Sequence, residues 1–285
     1  MVDTEQGVGG VRATVRAHRL MAFGALVVLL TLGPVALQLD KLTMPFALVL
    51  VPGLAALIVA AVADGRAGVG RLFRRIARWR VAPRWYAAAI GIPALMWLMI
   101  DAAGVALGTP VNALFQELAT VPVVLLVVLL PGLLEEFGWR GFAVPASPRS
   151  WPVLQIALVV GVLFLIPHLV LYMPGQQYDN LPIWPLPLII ISGSVLYTWI
   201  FVGSGGSALL AGLMHAASNG LTPLSRGIDP LVVWQLQGIM ITIIAIVVVV
   251  ISVRLRRPLG GDITPAGEPN PGTPLQPAAT SPIGG

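Results

Sequence analysis

Glu135 and Glu136 stand side by side in an otherwise apolar stretch, with Arg140 four positions on. Two later apolar stretches each hold a histidine with a partner four positions away. Phe164 precedes His168, and Asn219 follows His215. These are the residue types of proton transfer and carbonyl polarisation. A carboxylate can take a proton from water and return it to a leaving group. Imidazole and amide N–H groups can donate to a developing oxyanion. Two imidazoles and a carboxylate can alternatively ligate zinc and leave a position for water. Ionisable groups in hydrocarbon cost several kcal/mol unless paired or bathed in a wet cavity, so their presence there calls for a reason.

Spacing sorts the candidates. Residues four apart share a helical face, so Glu136 and Arg140 can pair along one helix. Glu135 points about 100° away and has no cation on its own helix. It is the carboxylate left to face a cavity, and the better candidate base. His215 and Asn219 share one face, as do Phe164 and His168. At 1.5 Å per residue, Glu135 lies about 15–20 Å, His168 about 25 Å and His215 about 13 Å from the basic end of their spans. Tilt and local breaks absorb that scatter. Gly138, Gly141, Gly212 and Ala216 are small enough to shape a water-filled cavity. Pro167 cannot donate a helix hydrogen bond, so the helix is expected to kink next to His168. Interhelical hydrogen bonding explains one buried polar group; two Glu, an Arg, two His and an Asn on three spans exceed that need.

The elements that position these residues are helices in a bilayer. The chain is 57% hydrophobic and 10% charged, against roughly 25% charged in a soluble domain, and its apolar runs reach the length a bilayer requires. Eight spans are predicted, at about 20–39, 44–63, 85–107, 118–143, 151–172, 186–203, 206–222 and 231–253, giving an all-α polytopic helical bundle. The run from Leu20 is too long for a signal peptide's core and lacks a small-residue cleavage site, so it reads as a retained anchor. With eight spans, fifteen of the Lys and Arg residues fall on one side. Only Lys41 and Arg226 fall on the other. That asymmetry predicts both termini in the cytoplasm.

Between spans, Val69, Leu72, Phe73, Ile76 and Trp79 recur at helical spacing among arginines. This predicts an amphipathic interfacial helix within Arg66–Arg84 that lies on anionic lipid. The organisation is an N-terminal arm over 1–19, a membrane domain over 20–257 and a Pro- and Gly-rich tail over 258–285, expected to be disordered. His18 sits in the arm. The basic residues set topology, so nucleic-acid binding is not expected. The absence of cysteine excludes disulfides and thiol chemistry. Arg far outnumbers the single Lys, as a GC-rich bacterial genome would give, which suggests a bacterial cytoplasmic membrane.

Glu135–Arg140 reads EExxxR, Phe164–His168 reads FxxxH and His215–Asn219 reads HxxxN. In this order, over about 115–222, they resemble the CPBP family of CAAX proteases and bacteriocin-processing enzymes, also called Abi proteins. The resemblance implies an intramembrane endopeptidase acting on a membrane-associated or lipid-linked peptide. Glu135 and His168 would activate water, and His215 and Asn219 would hold the oxyanion. Glu136, Arg140 and Phe164 would support them.

Zinc held by Glu135, His168 and His215 is the rival chemistry. With no HExxH and no thiolate, the metal-independent reading, with no cofactor, is adopted. A rhomboid-type serine site is not expected, because Ser204 and Ser207 lack a GxSG context. A presenilin-type aspartate pair is not expected either, because Asp101 and Asp179 lack GxGD. The alternative from another class is a non-catalytic scaffold or bacteriocin-immunity protein. A transporter would show internal repeats.

Overall fold

The computed structural model describes residues 2–110, 118–225 and 227–255. The tail 258–285 lies outside the described residues, as do Arg226, Arg256 and Arg257 of the charge asymmetry and positions 115–117 of the motif core. The described residues form helices and no strands. These are α1 (Val2–Ala17), α2 (Arg19–Ala36), α3 (Thr43–Ile76), α4 (Pro83–Ala106), α5 (Val121–Gly138), α6 (Val144–Ala146), α7 (Val153–Leu169), α8 (Pro185–Gly203), α9 (Ala208–Gly220) and α10 (Pro230–Arg254). Seven helical segments are long and apolar enough to cross a bilayer. Their outer faces carry Leu29 and Leu32 on α2, Leu126 and Leu130 on α5, and Ile246 and Val250 on α10, all exposed. Water would penalise such faces, whereas lipid matches them. The fold is the expected all-α polytopic bundle.

The seventh predicted span, 206–222, is α9, and it differs from the rest. It has thirteen residues, about 20 Å of helix, and is encased by α5, α4, α8 and α3. Its short length is made up by a 3₁₀ turn over Thr222–Ser225. At the start of α9 the Ser207 hydroxyl donates to the Arg78 carbonyl at 2.6 Å, while beyond its end Ser225 donates to Asp101 near the far end of α4. Segment 207–225 therefore traverses about the same depth as α4 from Pro83 to Asp101. A bundle interior tolerates such a short helix because protein, not lipid, surrounds it.

Close backbone approach sets the packing. A Cβ on Gly132 would lie 3.1 Å from the Gly212 carbonyl oxygen and 3.2 Å from the Ala216 nitrogen. One on Gly138 would collide with the Pro52 backbone. Thus Gly138 and Gly212, expected to open a cavity, instead let α5 nest against α3 and α9.

The segment predicted as an interfacial helix begins as the last part of α3, beyond a kink at Gly65 (φ 61°, ψ −148°), a conformation that favours glycine, but the helix ends at Ile76, so Arg78, Trp79 and Arg80 follow it in non-helical chain. Leu72 turns inward, whereas Phe73 and Trp79 stay exposed. Three of its arginines are pinned rather than free. Arg71 pairs with Asp64, Arg75 donates to the Gly141 carbonyl at 2.8 Å and Arg78 to that of Gly205. Arg66, Arg74, Arg80 and Arg84 remain exposed. Arg16 and Arg19 also converge on Asp64, which ties the helical N-terminal arm, α1, to this kink. At the opposite end of the bundle, Asp40 accepts from the Leu42 and Thr43 amides and the Thr43 hydroxyl, opening α3. The Thr43 amide, aided by that hydroxyl, holds the Asp40 carboxyl below its ordinary range.

Candidate active site

α5 places Glu135 and Glu136 opposite α9, where the Gly132–Gly212 contact brings the two helices together. Glu136 and Arg140 are fully buried, with Arg140 Nη1 2.8 Å from Glu136 Oε1. The same oxygen also accepts from across the interface, 3.1 Å from His215 Nδ1. Glu135, one residue back, meets the other side of the imidazole, with its Oε2 3.8 Å from His215 Nε2. That oxygen is buried and makes no hydrogen bond among the described residues. The two carboxylates thus divide the histidine: Glu136 holds one nitrogen, and Glu135 stands open beside the second.

Beyond Gly138 the helix widens into a π turn over Trp139–Ala143. Pro145 supplies a local cause, since it has no N–H to give the Gly141 carbonyl four residues back. That carbonyl takes Arg75 instead. Arg140 therefore emerges from a widened turn and inserts between aromatic rings, its guanidinium 5.6 Å from the Phe164 centroid and 5.2 Å from that of Tyr197. Cation–π contact of this kind helps a guanidinium bear burial.

α7 runs through Pro167 to Leu169 and tightens to a 3₁₀ turn only over Val170–Tyr172, so the helix does not end at the proline. His168 Nδ1 lies 2.9 Å from the Phe164 carbonyl oxygen. A carbonyl only accepts, so Nδ1 carries the proton and Nε2 of the neutral ring is the free lone pair. Phe164 is the shared wall of the site. Its ring meets His168 edge-on at 4.9 Å, His215 at 5.8 Å and Trp139 at 5.0 Å.

Asn219 is placed differently. It lies one turn beyond His215 on α9 and is exposed, and the described contacts do not tie its side chain to the other site residues. Trp97 of α4 fixes the neighbouring backbone, donating to the Ser218 carbonyl at 2.9 Å.

Three features were not visible to spacing along single helices: the Glu136–His215 bond, the Tyr197 ring stacked on His215, and Tyr178. Tyr178, in the loop after α7, packs on Tyr172 and Trp234. Burial pushes its phenol up to about 12, and the charge of Glu135 adds to the effect. The aromatic richness of 172–184 was the available signal.

Zinc does not fit. Among the described residues no three His, Cys, Asp or Glu side chains gather closely enough to hold a metal ion, so Glu135, His168 and His215 do not form a ligand triad.

Residues 117–221 match a protein family described as type II CAAX prenyl endopeptidase Rce1-like. A 103-residue stretch is 26% identical to CAAX prenyl protease 2 of Methanococcus maripaludis, covering 34% of this chain and 38% of that protein. The match thus spans well under half of the curated relative. The family resemblance carried by the EExxxR, FxxxH and HxxxN motifs is thereby borne out, and over residues 117–221 the chain is similar to the Rce1-like type II CAAX prenyl endopeptidases.

Proposed function

We propose that this chain is an intramembrane endopeptidase that hydrolyses a membrane-associated protein or peptide with water activated by Glu135 and His168. The observation that carries the reading is the asymmetry of the two carboxylates. Glu136 is engaged by Arg140 and His215, while the buried Glu135 Oε2 is left without a hydrogen-bond partner beside His215 Nε2. In the reaction, water adds through its oxygen to the scissile carbonyl carbon as Glu135 takes its proton. The free Nε2 of His168 accepts a hydrogen bond from the same water. His215, doubly protonated with Nδ1–H on Glu136, and Asn219 donate to the oxyanion. The C–N bond then breaks, and Glu135 returns the proton to the leaving nitrogen. Asn219 reaches the oxyanion once substrate fills the space beside α9.

The chain's basic end faces the cytoplasm in this reading, with both termini there, a placement the Lys/Arg asymmetry supports. The exposed Arg66, Arg74, Arg80 and Arg84 meet anionic headgroups. The membrane in question is a bacterial cytoplasmic membrane.

The test is a comparison of membrane proteomes from cells expressing the native chain or Glu135→Gln, read by mass spectrometry of new protein termini. New termini within or next to membrane segments, produced only by the native chain, are expected. Identical termini in both would overturn the peptidase reading. A phenotype that survives Glu135→Gln would favour a scaffold.

A further inference from the structure

Tyr197 belongs to none of the motifs. It projects from α8, is almost fully buried, and lies against His215 in a near-parallel stack, ring centroids 5.0 Å apart and planes 18° apart. The Arg140 guanidinium sits 5.2 Å from the same ring. The space Tyr197 occupies is kept open by Gly193, where a Cβ would sit 3.4–3.6 Å from the phenol's Cε2, Cζ and oxygen. On the remaining side, Phe164 meets His215 edge-on, 5.8 Å away and inclined 71°.

An imidazole hydrogen-bonded through one nitrogen can still rotate about its Cβ–Cγ bond. A half-turn would exchange Nδ1 for a carbon and carry Nε2 away from Glu135. The bond to Glu136 fixes one in-plane direction; the face of Tyr197 fixes the plane. Together they determine where Nε2 points.

We propose that Tyr197 is a positioning residue for His215. Its ring, more than its hydroxyl, holds the imidazole in the single orientation that gives Nδ1 to Glu136 and aims Nε2 at the site beside Glu135. The consequence for catalysis rests on the peptidase reading; the orientation of the ring does not. Misplacing a reacting group by about 1 Å can cost about 10²-fold in rate, so loss of the ring falls on kcat rather than KM.

The chain has only three histidines, so ¹⁵N-histidine NMR on the purified full-length protein reads His215 directly, assigned by its loss in His215→Gln. Tyr197→Phe, Tyr197→Leu and the more adaptable Tyr197→Met are compared at equal folded fraction. In the native protein and Tyr197→Phe, His215 is expected to show one species protonated at Nδ1. In Tyr197→Leu and Tyr197→Met it should show exchange between ring orientations. Cleavage of a peptide carrying a site found by terminus mapping should fall about 10–100-fold in kcat for Leu and Met, with KM within about twofold. Tyr197→Phe should stay within about threefold of native. A single Nδ1-protonated species in both Leu and Met variants overturns the proposal, as does a Phe variant as impaired as Leu. If the native protein cleaves nothing, the peptidase reading fails, and the nitrogen spectra still decide whether Tyr197 orients His215.

Discussion

Glu135 and Glu136 share a sequence neighbourhood but not a surrounding. One helical step turns Glu136 toward Arg140 and His215 Nδ1, and Glu135 toward His215 Nε2 with an oxygen left unpaired. Removing one partner of a buried ion pair leaves an uncompensated charge, at a cost of about 3–5 kcal/mol. Glu136→Gln should therefore lower the thermal midpoint in detergent clearly, because it strands Arg140 and loosens His215 together. Glu135→Gln, which removes only the longer 3.8 Å contact with His215 Nε2, should leave the midpoint nearly unchanged or raise it. Thermal denaturation of the purified variants checks this, and the reverse order would exchange the two roles. The pairing of Glu136 with Arg140 was legible from their four-residue spacing. Its second bond, to His215, was not, because nothing in a helical period reports which face of a distant helix will arrive opposite.

The same limit applies to elements. The apolar runs marked the helices, and seven of the eight predicted spans are helices long enough to cross. The exception, α9, was read as a span of ordinary length. Its apolar residues and glycines look the same in sequence whether they face lipid or other helices, and only the bundle reveals that it is encased. Gly138 and Gly212 read as cavity-forming because small size is visible in sequence, whereas the backbone they touch is not. This yields a test of the α3–α5 contact. Gly138→Ala drives a methyl into the Pro52 backbone and should cost about 1–3 kcal/mol, the usual scale of overpacking. Gly33→Ala on α2, which meets nothing, should be neutral or mildly stabilising. Equal midpoints for the two variants would mean that the contact yields freely. The segment beyond Gly65 supplies another expectation, since four of its arginines are exposed. Anionic lipid should stabilise the native protein more than neutral lipid in a thermal-shift assay. Replacing Arg66, Arg74, Arg80 and Arg84 with Gln should remove the difference, and an unchanged difference would place the lipid contact elsewhere.

For the molecule as a whole, the interhelical contacts define a consistent set of directions. α8 ends and α9 begins beside Arg78. α10 runs alongside α8, with Gly238 near Pro185 and Thr242 bonded to Ser192, and so ends with Arg254 on the same side. α1 lies there too, tied to Asp64. Both ends of the described chain therefore share the basic face. Because the native chain has no cysteine, single cysteines at Asp3 and Thr280 should both resist a membrane-impermeant thiol reagent in intact cells. Labelling at only one would require an odd number of crossings. What this bundle builds around is the site where α5, α7 and α9 meet, and the most direct test of that claim is cleavage by purified protein. Turnover of an identified substrate is measured for the native chain, Glu135→Gln and Asn219→Ala, each with and without chelator. Glu135→Gln should fall to background, because an amide cannot take water's proton. Asn219→Ala should fall by about 10²–10³, the scale of one lost oxyanion donor. Chelator should change none of the three. Full turnover by Glu135→Gln, or activity abolished by chelator and restored by zinc, would contradict the mechanism.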